Sequence, residues 1–140
     1  SDERLPNGKQ VLVPYLGYSD APAAIDFLCR AFGFEERFRY PMDDGRIGHA
    51  ELAFRENVLM LASAYPEMGL VSPEDLPARH AQIKCYVDDV DAHHERAREA
   101  GATIVAAPDD HYGERTYRAL DTEGHRWMFS APLPAAEDSK

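Results

Sequence analysis

His49 and Glu51 stand two residues apart in the stretch GHAEL. On a strand, positions i and i+2 share a face, so an imidazole and a carboxylate would project side by side. That pairing can orient a histidine as a general base, and it can equally make ligand contacts or stay solvated. Met60 and Met128 sit at the centres of two apolar runs, VLMLAS and RWMFS. They read either as packing or as the apolar floor of a pocket. Arg115, Tyr117 and Arg126 could meet an anionic or aromatic ligand, or Arg115 and Arg126 could close an internal ion pair with Glu51 or Asp121. His93 and His94 fall among Glu95, Arg96, Arg98 and Glu99, which reads as a solvated helix face. His125 follows a turn glycine and reads as a structural hydrogen-bonding group. Cys29 and Cys85 have no CxxC or zinc spacing, and the chain has no nucleophile elbow, Walker loop, dinucleotide fingerprint or HExxH.

These residues need elements to carry them. VLVPYLGY (11–18) has strand composition, and SDAPAAIDFLCRAFGF reads as a helix capped by Ser19 or Asp20 and stopped at Gly33. Strands follow at about 35–40, 47–54 and 57–63, with turns at DDG and REN. The proline-rich stretch 64–79 forbids a regular element. After it the order restarts, with a strand at 80–87, a helix in DDVDAHHERAREAG, and strands near 102–107, 115–120 and 125–130.

Sliding the chain on itself by 68 residues aligns Gly33 with Gly101, Gly45 with Gly113, Leu52 with Leu120 and Met60 with Met128. Two copies of one βαβββ unit account for this. The expected organisation is a polar tail at 1–10, a first module at 11–63, a linker loop at 64–79, a second module at 80–131 and a tail at 132–140, in one structural domain. Strand alternation then turns Leu59, Leu61, Trp127 and Phe129 toward the helices. Met60 and Met128 face the other way, into a trough between the sheets. The same alternation adds Val13, Tyr15, His49, Glu51, Gln82, Lys84, Tyr86, Arg115, Tyr117 and Arg126 to its lining, a mixed surface suited to a small ligand.

The stretches VPYLGYSDAPAAIDFLCRAFGF, GHAELAFRENVLMLAS, YVDDVDAHHERAREAGA and YGERTYRALDTEGHRWMFS resemble the vicinal oxygen chelate superfamily, the glyoxalase, bleomycin resistance and extradiol dioxygenase group. The resemblance runs from about Val11 to Phe129. It implies an α+β fold of two tandem βαβββ modules forming a cupped mixed sheet with helices on the outside, usually as a homodimer. In metal-dependent members, the first and last strand of each module supply His or Glu ligands to a divalent ion. Here those positions fall on Val13, Met60, Gln82 and Met128, none a usual hard-metal ligand. The family's metal site therefore reads as vacated, and no cofactor is expected. His49, Glu51 and His80 are the one off-pattern grouping of suitable ligand types.

The expected activity is metal-independent binding of a small molecule, in the manner of the bleomycin resistance proteins, by Tyr15, His49, Glu51, Met60, Gln82, Arg115, Tyr117 and Met128. The competing expectation is a lyase, isomerase or dioxygenase using the off-pattern His49, Glu51 and His80 grouping or a metal-free acid/base pair. With 44% apolar and 29% charged residues the 140-residue chain reads as globular, and its net charge of −10 argues against nucleic acid or an anionic membrane as partner. The opening SDERLPNGKQ lacks a signal-peptide core, and the expected location is the cytoplasm.

Overall fold

The computed structural model describes residues 3–135, so the outermost parts of both polar tails lie outside the described residues. The first module runs β1 (Tyr15–Tyr18), α1 (Ala21–Phe27) continuing into a π-helical turn (Leu28–Phe32), β2 (Glu35–Pro41), β3 (Ile47–Phe54) and β4 (Asn57–Ser63). The second runs β5 (Gln82–Tyr86), α2 (Val90–Glu99), β6 (Thr103–His111), β7 (Glu114–Leu120) and β8 (Arg126–Pro132). Each forms a mixed four-stranded sheet, ordered β1-β4-β3-β2 and β5-β8-β7-β6, with the first strand of each module parallel to the last.

Local chemistry sets the boundaries. Asp20 and Asp89 cap the helices by accepting from the backbone N–H of Ala23 and Ala92, at 3.1 and 3.0 Å. Gly33, at φ 89°, ends the first helix in the left-handed region. The first strand begins four residues later than expected. Pro14 has no N–H to give a ladder, and its carbonyl instead accepts from Met60 N at 3.0 Å. The polar stretch before it is not frayed throughout, because the Gln10 amide accepts from Val58 N and donates to Val58 O, at 2.7 and 3.0 Å. The segment 64–79 contains two short 3₁₀ turns, Pro66–Met68 and Pro73–Asp75, and one isolated antiparallel bridge between Tyr65 and Leu70.

The modules join through their helix-bearing faces. Tyr18, Phe32, Leu59, Leu61, Trp127 and Phe129 belong to one buried core, with the Phe32 ring 4.8 Å from Phe129 and 5.6 Å from Trp127. The helices also satisfy each other's ends. Arg96 donates to the carbonyls of Arg30 and Cys29, and Arg30 returns a bond to Ala100 O. At the opposite end, the turn at 121–124 docks onto the start of α1. Buried Glu123 accepts from the N–H groups of Ser19 and Asp20 at 2.7 Å each, and Asp121 accepts from the Tyr18 hydroxyl at 2.6 Å and Trp127 Nε1 at 3.0 Å. Two sheets that share a core through their helix-bearing faces turn their other faces outward. A single chain therefore presents two open faces, not one enclosed trough.

Candidate functional site

The open face of the first module is built around Met60. Register pairs Met60 with Tyr15 on one side and Glu51 on the other, and Glu51 with Phe38 and His49 with Tyr40 beyond it. Strand alternation thus gathers Tyr15, His49, Glu51 and Met60 on one surface, where sequence reasoning put them. The polar groups are connected. Tyr15 Oη lies 2.8 Å from His49 Nδ1, and His49 Nε2 lies 3.0 Å from Glu51 Oε2. Burial, followed by the Glu51 charge, pushes the Tyr15 phenol above its ordinary value, so it stays a protonated donor at neutral pH. In the neutral imidazole, Nε2–H donates to the Glu51 carboxylate and the Nδ1 lone pair accepts from the Tyr15 hydroxyl. Phe38 and Tyr40, 49% and 60% exposed, extend this face as an uncovered aromatic shelf.

The second module's open face is built around Met128, flanked in register by Lys84 and Arg118. A depression of about 340 Å³ lies here, lined by Lys84, His111, Glu114, Thr116, Arg118 and Met128. Glu114 accepts from Lys84 Nζ and Tyr86 Oη, both at 2.6 Å, and these bonds hold its carboxyl below the usual carboxylate range. Gln82 stands on this face as expected, with its carbonyl taken by Arg126 Nε at 3.1 Å.

Arg115 and Tyr117 are not on it. Tyr117 is fully buried against α2, and Arg115 donates to Asp91 on that helix, at 3.0 Å from both Nε and Nη2, and to Asp110 at 2.8 Å. The cause is a difference between the hairpins. In the first module two residues, Arg55 and Glu56, separate the paired Phe54 and Asn57. In the second, five residues separate Leu120 from Arg126. Between equivalent pairs the second hairpin is one residue longer, with six residues between Leu52 and Leu59 and seven between Ala119 and Trp127. Carrying the 68-residue offset from His49 to Tyr117 crosses that difference, and a one-residue slip reverses every side chain of a strand. Arg118 is the true counterpart of Glu51, since each pairs with its module's methionine. The uneven turns, REN against DTEGH, were the signal that could have found it.

The second-helix histidines also differ from expectation. His93 is half-buried rather than solvated, because the first module covers that face of α2. Its Nε2 meets the Phe32 carbonyl at 2.8 Å, which can only accept, so the proton sits there and Nδ1 accepts from Tyr117 Oη at 2.6 Å. His125 makes the expected structural bond, Nε2 to the Gly17 carbonyl at 3.0 Å, and Trp127 is core.

The metal reading tests poorly against the donors present. Val13 precedes β1 and carries no donor atom, and a thioether at Met60 or Met128 is a soft ligand. Lys84, the residue beside Met128, brings a cation. His80 is exposed just ahead of β5, on the other module from His49 and Glu51, which are bonded to each other. Among the described residues no three His, Cys, Asp or Glu side chains gather closely enough to hold an ion. Such a donor set does not fit a hard divalent cation.

Comparison with known proteins agrees with this architecture. Residues 11–129 match the family described as the glyoxalase/bleomycin resistance protein/dioxygenase superfamily. An uncharacterized protein of Mycobacterium bovis is 37% identical over 131 residues, covering 91% of this chain and 86% of its own length. The crystal structure of TioX from Micromonospora sp. ML1 superposes with a TM-score of 0.69 at 32% identity, over 90% of this chain and 98% of that one. TnmS3, an antibiotic binding protein from Streptomyces sp. CB03234, shares the fold with a TM-score of 0.65 at 23% identity, over 89% and 96% of the two chains. With its tandem βαβββ modules and a family match across nearly its whole length, the chain belongs to the glyoxalase/bleomycin resistance protein/dioxygenase superfamily.

Proposed function

We propose that the protein binds a planar, partly aromatic small molecule without transforming it, in a cup completed when a second copy lays its second-module face opposite the first-module face. The observation that carries this reading is the uncovered aromatic shelf of Tyr15, Phe38 and Tyr40 around Met60, with one connected polar group, Tyr15–His49–Glu51, set into it. Strand faces that leave such aromatics about half exposed await cover, and an apolar wall with few convergent polar groups is the usual make-up of a small-molecule site. The edge strands β1 and β5 pair with no further strand among the described residues, which leaves backbone groups for a second copy to meet. The antibiotic-binding description of TnmS3 supports an antibiotic-like ligand, and the two free cysteines suit the reducing cytoplasm.

The test is equilibrium dialysis of chelator-treated protein against a planar antibiotic such as an anthraquinone, with the ligand recovered and analysed. Saturable binding and recovery of unchanged compound are expected. Binding that needs restored metal, or conversion of the compound, would overturn the reading. One observation favours a second reading as an enzyme: Tyr15, His49 and Glu51 form a hydrogen-bonded chain of the kind that orients a general base. That version requires turnover lost in both His49→Ala and Glu51→Ala.

A further inference from the structure

The second-module face carries a cation with no partner. Arg46, Arg55, Arg98 and Arg115 pair with carboxylates, and Arg126 with the Gln82 amide. Arg118 is half-buried beside Met128, and among the described residues its guanidinium has neither ion pair nor hydrogen bond. The chain has 25 acidic against 15 basic residues, so leaving a strand-face arginine unmatched runs against its own charge balance. The other charges around the depression are already engaged. Glu114 is held by Lys84 and Tyr86, and it lies four residues along β7 from Arg118, about 13 Å at strand rise, beyond ion-pair reach. His111 sits 3.3 Å from Asp109. What remains is one guanidinium with its donors uncommitted, over a floor of Met128 and Thr116 in about 340 Å³. That volume accepts a fused two-ring aromatic.

We infer that Arg118 selects ligands carrying a carboxylate on a planar aromatic body, with the carboxylate bound by the guanidinium and the rings lying over Met128. A planar fork with parallel N–H donors matches a carboxylate bidentately, which neither an amide nor an ammonium can reproduce. This inference rests on the reading of the open faces as a ligand site, and it names the class of ligand that site prefers.

The experiment titrates the full chain, with its methionine methyl groups ¹³C-labelled, with 2-naphthoate, its neutral analogue 2-naphthamide and the cation 2-naphthylmethylammonium. Naphthoate is expected to bind about tenfold tighter than naphthamide, the size of effect a charge-assisted pair provides. The ammonium should bind weakest, and all binding should shift the Met128 methyl. In Arg118→Gln the naphthoate preference should vanish while naphthamide affinity is retained, and Arg118→Lys should recover only part of it. An unchanged preference in Arg118→Gln, or tighter binding of the ammonium, would overturn the inference. Loss of self-association in Arg118→Gln with the preference intact would also overturn it and assign Arg118 to an ion pair between copies. If naphthamide binds with no preference for naphthoate, the inference fails and the binding reading stands. If no probe moves either Met60 or Met128, both fail.

Discussion

Removing one oxygen from Tyr117 should loosen the joint that turns the two open faces outward. Tyr117 is fully buried, and its hydroxyl donates to His93 Nδ1, whose other nitrogen donates to Phe32 O in the first module. Tyr117→Phe deletes that bond and strands a half-buried imidazole nitrogen, at a cost of about 1–3 kcal/mol. At about 2.1 cal/mol/K per residue, a chain of 140 residues has an unfolding entropy near 0.3 kcal/mol/K, so the melting temperature should fall by about 3–10 °C. Burial, with the Arg96 charge adding to it, holds the His93 pKa below the ordinary histidine value, against the opposing pull of the Phe32 carbonyl. The unfolded chain therefore takes up a proton first as pH drops. This contribution to stability is intact above about pH 6.5 and is lost as pH falls from there through the lowered folded value. Thermal and urea melts at pH 7.5 and 5.5 would measure both effects. His93→Gln should flatten the acid limb by one proton's linkage. A Tyr117→Phe melt within 1 °C of the parent, or an acid limb unchanged in His93→Gln, would refute the assignment.

Three further outcomes follow from named contacts. Asp121→Ala leaves the Tyr18 hydroxyl, Trp127 Nε1 and two backbone N–H groups without their acceptor, and should cost at least about 3 kcal/mol by denaturant titration. Gly124→Ala should cost about 1–2 kcal/mol, since its φ of +90° disfavours a side chain and the new methyl would meet the Arg79 guanidinium, 2.5 Å away at its nearest atom. Arg115→Gln should leave naphthoate affinity unchanged, because Arg115 serves the Asp91 and Asp110 carboxylates on the helix-bearing side. A tenfold loss there would return Arg115 to the open face.

Most of the fold was legible because its signals are local. Asp20 and Gly33 bound a helix by their own chemistry, the alternation around Met60 and Met128 fixes two strands, and repeated glycine spacing announces two modules. The first-module site followed from alternation alone, since His49, Glu51 and Met60 lie on one tight two-residue hairpin. The second-module site did not, because the five-residue turn before β8 decides which face of β7 looks outward. His93 shows the second limit. The charges around it mark a solvated helix, yet α2 is covered by the first module's Phe32, a contact 61 residues away in the chain. The same non-local packing puts the helix-bearing faces of both sheets into one core, where alternation alone pointed to one trough.

The most direct test of a shared cup follows the Met60 and Met128 methyl resonances during one titration of metal-free protein with 2-naphthamide. The two methionines lie on open faces that a single chain turns away from each other. A site completed by a second copy predicts that both resonances shift along one isotherm, saturating at one ligand per chain. Movement of only one methyl, or two independent isotherms, would contradict it.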